Sequence, residues 1–405
     1  MSVRVLIADK FPESAVEAMK KIGCEVMYEA AWKEQELVEG IKSLQPEVLV
    51  VRSTKVTAEM IDAGPSLNLI IRAGAGYNTI DVAAASRKSV YVANCPGKNS
   101  IAVAELAMGL IMSIDRRIPE NVADFNRGFW NKAEYSKADG IAGKKLGIIG
   151  TGKIGQEVIL RAKAFGMKVY AWSRSLTPER AEALGVKYCE TPLDCAKAVD
   201  IVSVHLAMTP DTKGMIDAKL FAAMKEGAWF INTSRAEVVD EDALIEAVDS
   251  RGIKAGLDVV SGEPAGKSGE FSSRLAGKPG IYCTHHIGAS TNQAQLAVAD
   301  ETVRIVGEYI NTGEVPNCVN LMLKTPAKFM LSIHHKNTVG ILADVLDVVR
   351  DEKINVERMQ NIIFQGAEGA CANIQVDTDL SPAALKRIED SSPHIYSVKL
   401  KAVEE

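Results

Sequence analysis

The 405-residue sequence predicts an α/β protein with two doubly wound parallel sheets, followed by a small α+β unit. Along residues 1–286, short apolar strands alternate with amphipathic helices, a pattern that requires parallel sheets covered by helices. After residue 328 the pattern changes to strand, helix, strand, strand, helix and strand, which is the order of a ferredoxin-like sandwich. The chain length is sufficient for two or three domains of this kind.

The first block of alternating elements covers residues 1–98. Its predicted strands are Val3–Ala8, Glu25–Tyr28, Val48–Arg52, Leu69–Ala73 and Val90–Asn94. Helices are predicted at Glu13–Ile22 and Glu34–Ser43. A long helix at Asn292–Tyr309 precedes the turn and linker of residues 311–317. We assign residues 1–98 and 287–320 to one domain, and residues 99–286 to a second.

A glycine-rich hexapeptide, Gly150-Thr151-Gly152-Lys153-Ile154-Gly155, lies within the second domain. It follows the apolar strand predicted at Lys145–Ile149 and begins the helix predicted at Lys153–Phe165. In that context the first glycine permits a tight turn, the second lets the backbone approach a pyrophosphate, and the third allows close helix packing. The motif therefore predicts a Rossmann-like dinucleotide-binding domain, whereas the same spacing elsewhere would indicate little.

The remaining strands of the second block and the elements of the tail follow the same reading. In the second block the strands are Val169–Trp172, Ile201–His205, Trp229–Asn232, Lys254–Val259 and Ile281–Thr284. In the tail, residues 328–405, the strands are Met330–His335, Ile354–Phe364, Ala370–Val376 and Ile395–Leu400, with helices at Val339–Arg350 and Pro382–Ile388. A hairpin turn at residues 365–369 joins the two middle strands.

Composition excludes several classes of function. The net charge of −5 gives no basic surface, so we expect neither nucleic acid nor an anionic membrane as a partner. The N-terminus lacks a long apolar signal core, and the most apolar helical run, Ala102–Ile114, is short and contains Glu105. Seven scattered cysteines form no CxxC pair, and we predict no metal site. These features favour a soluble, cytoplasmic protein with reduced thiols.

Three segments at predicted strand ends carry chemistry. They are Asn232-Thr233-Ser234-Arg235, the segment from Leu257 to Pro264 that includes Asp258 and Glu263, and the segment from Thr284 to Thr291. Ligands of open α/β sheets bind outside the carboxyl ends of the strands, where these segments lie. Hydride transfer at a carbinol carbon needs an acid/base for the hydroxyl proton and a cation for the substrate, and these segments supply both.

Together with the glycine loop, these segments resemble the D-isomer-specific 2-hydroxyacid dehydrogenase family. Further similar segments are Arg72-Ala73-Gly74-Ala75-Gly76, residues 94–100 (Asn-Cys-Pro-Gly-Lys-Asn-Ser), Ala104-Glu105-Leu106 and Trp130-Asn131-Lys132. The resemblance covers essentially the whole chain and is strongest to the branch that oxidises 3-phosphoglycerate and carries a C-terminal ACT regulatory domain. It implies an NAD(P)-dependent dehydrogenase that catalyses the first step of serine biosynthesis.

The resemblance also implies a role for each catalytic residue. Arg235 would hold the substrate carboxylate and carbonyl oxygen, since its guanidinium presents a fork of donors. His286 would take the hydroxyl proton on oxidation, and Glu263 would fix its tautomer and stabilise the imidazolium. A carboxylate neighbour should raise the histidine pKa, so we expect oxidation to be fastest above neutral pH. Ala236 stands where the family usually has Gly, and His285 where it usually has Pro; Ile287-Gly288 sets the register on His286.

The cofactor residues are predicted to be the hexapeptide, Ser173, Arg174 and Asp258. NAD-specific domains usually place a carboxylate at the end of the second strand to bind the ribose hydroxyls. Here the strand ends in Ser173-Arg174-Ser175, which suits a 2′-phosphate, whereas the family branch implies NAD. NAD is the primary prediction and NADP the alternative. Asp258 resembles the position beside the nicotinamide carboxamide, with a strand-end turn cap as its other interpretation.

Substrate choice is assigned to the first domain. The Gly74-Ala75-Gly76 turn could present amides to the substrate carboxylate, while Arg52, Ser53, Asn99 and Lys132 resemble positions around the phosphate end. The family's dimers imply that Lys132 reaches a neighbouring subunit's site, and that the protein is a homodimer or homotetramer.

In the tail, His335, Asn337 and Asn355 resemble the serine-binding arrangement of ACT domains. They offer donors and acceptors for an amino acid, and Gly340 permits close approach, although the asparagines could instead cap turns. Serine would bind across paired domains and slow the enzyme. Two other functions remain open: an NADP-dependent glyoxylate or hydroxypyruvate reductase, and a corepressor-like protein that senses dinucleotide. Retention of Arg235, Glu263 and His286 argues against the second.

Overall fold

The structure, a computed structural model, describes residues 2–264, 269–322 and 324–403. It divides into two compact units, Met1–Asn320 and Leu321–Glu405. The larger unit contains two parallel sheets and the smaller unit one antiparallel sheet, so the predicted fold class is confirmed. None of the helices in the described ranges combines the length and apolarity needed to cross a bilayer.

The first sheet has the strand order β2-β1-β3-β4-β5, all parallel. Its strands are β1 (Val3–Ile7), β2 (Cys24–Tyr28), β3 (Val48–Val51), β4 (Leu69–Arg72) and β5 (Tyr91–Asn94). The connecting helices are α1 (Glu13–Lys21), α2 (Glu34–Leu44), α3 (Ala58–Ala63) and α4 (Val82–Arg87). All four residues of β3 are buried, as expected for a parallel strand covered on both faces. The strand order reverses between β1 and β3, which places a crevice at their carboxyl ends.

Two helices join this sheet to the next one, α5 (Ser100–Arg116) and the later α13 (Asn292–Thr312). Two shorter helices, α6 (Ile118–Asn126) and α7 (Lys132–Tyr135), follow α5. Ala107 and Ile111 of α5 are buried in the core of the second sheet. Val298 and Ile305 of α13 are buried in the core of the first sheet. The chain therefore crosses between the two layers at both ends of residues 100–291.

The second sheet has the strand order β12-β11-β10-β9-β6-β7-β8, again all parallel. The strands are β6 (Lys145–Ile149), β7 (Lys168–Trp172), β8 (Lys187–Tyr188), β9 (Ile201–Val204), β10 (Trp229–Asn232), β11 (Lys254–Leu257) and β12 (Ile281–Cys283). The helices are α8 (Lys153–Ala164), α9 (Pro178–Leu184), α10 (Pro192–Ala198), α11 (Ala218–Ala223) and α12 (Glu241–Arg251). The strand order reverses between β6 and β9, and the glycine-rich loop follows β6 at this reversal point.

The smaller unit is a ferredoxin-like sandwich with the antiparallel order β14-β15-β13-β16. The elements are β13 (Phe329–Lys336), α14 (Ile341–Asp351), β14 (Val356–Ile363), β15 (Gly369–Val376), α15 (Pro382–Asp390) and β16 (Ile395–Ala402). Leu331 and Ile333 of β13 share a buried core with Val345 of α14 and Ile388 of α15. In β13 and β15, alternate residues enter this core, as expected for strands that cover helices with one face.

Candidate active site

The glycine-rich loop joins β6 to α8 at the reversal point of the second sheet. Gly150 has a φ of +105°, and a Cβ there would lie 2.5 Å from the His205 carbonyl oxygen. A Cβ on Gly155 would lie 2.0 Å from the Gly150 carbonyl oxygen. These two positions therefore need glycine for the protein's own packing, independent of any ligand.

Gly152 differs from the other two glycines because no atom lies within 4 Å of the position of its Cβ. It precedes α8 as the N-cap, where amide donors and the helix dipole favour an anion. Two buried polar atoms at neighbouring strand ends, Thr233 Oγ1 and His205 Nδ1, have no hydrogen-bond partner in the described residues. Open space beside amide donors and unpartnered buried polar groups fit a bound dinucleotide.

Ser173 and Arg174 follow β7, at the place where NAD-specific domains usually have a carboxylate that binds the ribose hydroxyls. The Arg174 side chain is 87% exposed, and its Nη1 lies 3.6 Å from Asp211 Oδ2. Asp211 lies in the segment after β9, so a carboxylate reaches this region from a different loop. Within the described residues, the positive charge expected to favour a 2′-phosphate thus has a counter-charge beside it.

Arg235 is positioned by a compact turn after β10. Asn232 Oδ1 accepts from the Ser234 amide at 3.0 Å and from Ser234 Oγ at 2.7 Å, while its Nδ2 donates to the Arg235 carbonyl at 3.0 Å. Asn232 is almost completely buried, which makes these bonds resistant to competition from water. The turn directs Arg235 toward the first domain.

The Gly74-Ala75-Gly76 turn lies between two arginines. A Cβ on Gly74 would be 1.6 Å from Arg72 Nη1, and a Cβ on Gly76 would be 2.5 Å from Arg235 Nη2. Each glycine therefore leaves room for one guanidinium. Ala75 is held from its carbonyl side, which accepts from Asn94 Nδ2 at 2.6 Å. The predicted substrate turn and the predicted substrate arginine, which belong to different sheets, meet here.

Glu263 and His286 form a direct pair, with Nδ1 of the imidazole 2.7 Å from Glu263 Oε2. Glu263 Oε1 accepts from the Val260 amide at 3.0 Å, which fixes the carboxylate. His286, and not the adjacent His285, makes this contact. Because Nδ1 faces the carboxylate, Nε2 is the ring nitrogen left to exchange a proton with a substrate.

The pair shifts the titration of both groups. The hydrogen bond with Glu263 raises the pKa of His286, although burial opposes the shift. Burial alone would raise the pKa of Glu263, but the bonds from His286 and the Val260 amide outweigh it and lower that pKa. The imidazolium is thus stabilised beside a carboxylate that stays ionised, which is the arrangement a reversible proton acceptor needs.

Asp258 holds the loop that carries His286. Its Oδ1 accepts from Thr284 Oγ1 at 2.6 Å and from the Ile287 amide at 2.9 Å, and its Oδ2 accepts from the Gly288 amide at 2.8 Å. Asp258 is 2% exposed. Both carboxylate oxygens are thus occupied inside the protein, which favours the turn-cap interpretation over a contact with the nicotinamide carboxamide. His286 itself has a φ of +52°, an uncommon backbone conformation for a residue other than glycine.

A cavity of about 180 Å³ joins the two domains beside these residues. Its polar lining includes Lys10, Arg52, Ser53, Arg72, Asn99, His286, Ser290 and Gln295. Arg52, Ser53 and Asn99 are predicted substrate residues that the structure brings to the same cavity as the predicted base. Lys10 and Arg72 were not assigned to the predicted site. Lys10 belongs to no motif, and Arg72 begins the family-like segment of residues 72–76 but was given no role there.

Arg72 lies in an electrostatically unfavourable position. Burial lowers its pKa, and the charges of Arg235 and Arg52 lower it further. Its Nε is buried and has no partner in the described residues. Asn99 Oδ1 is in the same situation. Three arginines converging with little compensating negative charge are characteristic of a site that receives an anion.

Comparisons with known proteins identify the family. Residues 108–288 match the family model for the D-isomer specific 2-hydroxyacid dehydrogenase, NAD binding domain. The chain is 37% identical to the D-3-phosphoglycerate dehydrogenase of Methanocaldococcus jannaschii over 376 residues, which are 92% of this chain and 67% of that protein. The chain belongs to the D-isomer specific 2-hydroxyacid dehydrogenase family. Its second sheet, with the glycine-rich loop, is therefore the NAD-binding domain of this dehydrogenase.

Other dehydrogenases of the family show similar agreement. The chain is 36% identical to the D-3-phosphoglycerate dehydrogenase of Archaeoglobus fulgidus over 81% of this chain and 61% of that protein. It is 41% identical to the hydroxypyruvate reductase of Thermotoga maritima over 74% of this chain and 96% of that protein. The chain thus spans about two thirds of the length of the two phosphoglycerate dehydrogenases and nearly all of the reductase.

Solved structures agree with the fold. The NAD+-bound 3-phosphoglycerate dehydrogenase of Entamoeba histolytica has a TM-score of 0.66 and 28% identity, covering 79% of this chain and 100% of that one. The NADPH-dependent glyoxylate/hydroxypyruvate reductase of Sinorhizobium meliloti also has a TM-score of 0.66, with 26% identity over 79% of this chain and 97% of that one.

Three predicted substrate residues are absent from the cavity lining: Ala75 and Gly76, which belong to the turn beside Arg235, and Lys132. Lys132 begins α7, whose residues are not buried. The expectation that it contributes to a site therefore requires a second subunit. No cluster of three or more metal-ligating side chains is present among the described residues.

The predicted effector residues do not converge within one ferredoxin-like unit. His335 is 2% exposed, with Nδ1 2.8 Å from the Lys336 carbonyl and Nε2 3.2 Å from Asn361 Oδ1. Asn337 donates to the Ala367 carbonyl at 2.9 Å, at the same end of the sheet. Asn355 precedes β14 at the opposite end, where its amide donates to Asp377 Oδ1 at 3.1 Å. The three residues are separated because β13 and β14 run parallel, and the segment that precedes β14 lies at the start of both strands.

Proposed function

We propose that this dehydrogenase oxidises D-3-phosphoglycerate to 3-phosphohydroxypyruvate, the first step of L-serine biosynthesis. The observation that supports it best is that one cavity is lined both by the predicted base, His286, and by Arg52 and Arg72 of the first domain. A 2-hydroxy acid with a second anionic group would place its hydroxyl at His286 and that second group at the arginines. The relatedness to phosphoglycerate dehydrogenases from two archaea supports the same substrate.

In this proposal Arg235 and the Gly74-Ala75-Gly76 turn hold the carboxylate and the oxygen on C2. Gly76 lies next to Arg235 Nη2, so the backbone amides of the turn and the guanidinium can bind the same carboxylate end of the substrate. A guanidinium donates two parallel bonds to a carboxylate, which fixes the orientation of C2. The partial negative charge on the oxygen grows or shrinks during the reaction, and Arg235 stabilises it in both directions.

His286 Nε2 accepts the hydroxyl proton on oxidation and returns it on reduction. Glu263 keeps Nδ1 protonated, since its carboxylate lies 2.7 Å from that nitrogen. The imidazolium that forms is stabilised by the same carboxylate. The left-handed backbone of His286, held by Asp258, sets the direction from which the imidazole approaches.

We propose NAD as the cofactor, held by residues 150–155 with the ribose near Ser173. When bound, the nicotinamide dinucleotide supplies the hydride acceptor. Asp211 supports NAD over NADP because its carboxylate already faces Arg174, and a 2′-phosphate would meet that negative charge. Reduction of glyoxylate or hydroxypyruvate with NADPH is the second candidate, favoured by the exposed Arg174 and by the related reductases.

We propose the domain limits predicted from the sequence, with residues 1–98 and 287–320 for substrate, 99–286 for the dinucleotide and 328–405 as an ACT regulatory domain. The ferredoxin-like topology of the third supports that assignment. Serine inhibition would require two such domains, because His335 and Asn337 lie at one end of the sheet and Asn355 at the other.

We propose a homodimer as the smallest assembly. Helix α6 contains no buried residue, and Phe125, Phe129 and Trp130 are each at least 66% exposed in the single chain. Large apolar side chains exposed together are typical of a protein–protein interface. Lys132, two residues beyond Trp130, would then lie near a partner's surface.

The test is steady-state oxidation of D-3-phosphoglycerate near pH 9 with NAD and NADP in parallel, with the product removed by a coupling reaction. The proposal expects turnover with NAD, and loss of turnover in His286→Ala with dinucleotide binding retained. Lack of turnover, with efficient reduction of glyoxylate or hydroxypyruvate, would instead favour the second candidate. A dinucleotide sensor would bind NAD and turn over none of these substrates. Serine added to the same assay tests the regulatory domain.

A further inference from the structure

We infer that Lys10 is a specificity-determining residue that selects substrates with a second anionic group at the end remote from the reacting carbon. The inference rests on the proposed function and extends it to a residue outside the set predicted from sequence. Three observations carry it: the position of Lys10 in the sheet, the contacts that fix its loop, and the charges of the cavity that it lines.

Lys10 lies at the reversal point of the first sheet. The order β2-β1-β3-β4-β5 reverses between β1 and β3, and Lys10 follows β1 while Arg52 follows β3. In open parallel sheets a ligand binds outside the carboxyl ends of the strands at this reversal. The same cavity is lined by His286, so a ligand at this reversal point would adjoin the predicted base.

The neighbouring Asp9 fixes Lys10 relative to Arg52. Its Oδ2 accepts from the amides of Arg52, Ser53 and Thr54 at 2.6, 3.0 and 2.9 Å. Its Oδ1 accepts from Ser53 Oγ at 3.1 Å. Because these donors are neutral amides and a hydroxyl, the carboxylate ties the two loops together without forming an ion pair with either cation. Burial would raise the pKa of Asp9, but these bonds outweigh it and lower that pKa, so the tie persists at neutral pH.

The cavity already holds Arg52 and Arg72, and Lys10 adds a third positive charge on its wall. Lys10 is exposed and forms no ion pair with another described residue. The carboxylate of a 2-hydroxy acid carries one negative charge, which Arg235 and the glycine turn can neutralise. Cations beyond these favour a dianion such as a phosphate monoester, since several donors can each bind a separate oxygen.

The ammonium of Lys10 suits the outer part of such a site. An ammonium is a flexible point charge that tolerates a range of oxygen positions, whereas the partly buried guanidinium of Arg72 imposes a fixed geometry. Lys10 would therefore raise affinity for the dianion more than it orients the substrate. Its effect should appear in KM and not in kcat, and should weaken with added salt.

The experiment compares Lys10→Gln, Lys10→Arg and Lys21→Gln, with Lys21→Gln as the control because it removes the same charge from an exposed site on α1. Each variant is assayed for reduction of 3-phosphohydroxypyruvate and of hydroxypyruvate. For Lys10→Gln we expect the KM for 3-phosphohydroxypyruvate to rise about 5- to 20-fold. The KM for hydroxypyruvate should stay within a factor of about two of the wild-type value. Lys10→Arg should retain most of the preference, and Lys21→Gln all of it.

An equal change for both substrates, or no change for either, would overturn the inference. A wild-type protein that shows no preference for the phosphorylated substrate would instead contradict the proposed function. The two failures are separated further by thermal unfolding with inorganic phosphate. Phosphate should raise the Tm of the wild type and of Lys21→Gln more than that of Lys10→Gln, and an identical rise in all three would reject Lys10 as a phosphate ligand.

Discussion

Asp258 holds the backbone of His286 from both sides of the imidazole. Its carbonyl oxygen accepts from the His286 amide at 2.9 Å, and its carboxylate accepts from the two amides that follow. A Cβ on Gly288 would lie 2.9 Å from Asp258 Oδ2, so the closeness of this contact depends on glycine. The direction of the imidazole is thus fixed by a buried residue that need not touch the substrate.

Replacing Asp258 by Asn should lower kcat more than it weakens dinucleotide binding. The amide retains one acceptor but presents a donor to a backbone N–H, which leaves a buried donor without a partner at a cost of about 1–3 kcal/mol. A small displacement of His286 should then reduce kcat about 10- to 100-fold. Steady-state kinetics and the Kd for NAD measure both effects.

The matched control is Asp240→Asn, because Asp240 caps α12 by accepting from the Ala243 amide and Asn is an equally good cap. If Asp258→Asn lowered the Tm but left kcat and its pH profile unchanged, the account of Asp258 as a residue that positions His286 would be wrong.

Glu263→Gln should move the rise of the oxidation rate to lower pH. Oxidation requires neutral His286, and the bond to Glu263 raises the His286 pKa, so the wild-type rate increases as pH passes through that raised value. Without the carboxylate the imidazole loses its proton at lower pH. The plateau rate should fall by about 10²- to 10⁴-fold, since the imidazolium formed on proton uptake is no longer stabilised. A pH profile of kcat/KM that keeps the wild-type midpoint would contradict this pairing.

Gly152→Ala and Gly155→Ala should separate cofactor binding from folding. The Gly152 position is open, with no atom within 4 Å of a Cβ, so alanine should leave the Tm within about 2 °C of the wild type while weakening NAD binding. At Gly155 a Cβ would be 2.0 Å from a backbone oxygen, so alanine should lower the Tm as well. Differential scanning calorimetry and NAD titration measure these effects, and normal NAD affinity in Gly152→Ala would place the pyrophosphate elsewhere.

Asp211→Asn should increase kcat/KM with NADP and leave kcat/KM with NAD nearly unchanged. The substitution removes the counter-charge 3.6 Å from Arg174, so the guanidinium becomes free to meet a 2′-phosphate. Because both side chains are exposed and screened by solvent, the gain should be modest, about threefold to tenfold. Arg174→Gln should abolish the gain when combined with Asp211→Asn. If the single variant's NAD/NADP ratio equalled that of the wild type, Asp211 would have no part in cofactor choice.

Much of the fold was predictable because its signals are local. Alternating strands and helices indicated two parallel sheets, and the glycine-rich loop has the strand-to-helix setting that its spacing required. The pairing of Glu263 with His286 was predicted from family resemblance, and the structure joins them at 2.7 Å. Short helices such as α3 and the two-residue strand β8 were not predicted, because elements of so few residues are too short to show a hydrophobic periodicity.

The remainder depends on contacts between segments distant in sequence. Arg72 and Lys10 enter the site only because β1, β3 and β4 are neighbours in the sheet, and the counter-charge on Arg174 comes from a loop 37 positions further along the chain. Asn355 shows the opposite case, because the direction of β14 places it at the other end of the sheet from His335. Lys132 lies in the exposed helix α7, and residue type alone cannot indicate which surface its side chain contacts.

The central claim is that the cavity accepts a phosphorylated 2-hydroxy acid, and the most direct measurement is the ratio of kcat/KM for 3-phosphohydroxypyruvate to that for hydroxypyruvate with NADH. Arg52 and Arg72, which line the cavity together with Lys10, predict a ratio of at least about 10², since charge-assisted bonds to the phosphate add about 1.5–3 kcal/mol each. A ratio near one, or a preference for hydroxypyruvate, would contradict the claim and identify the enzyme as a reductase of unphosphorylated 2-oxo acids.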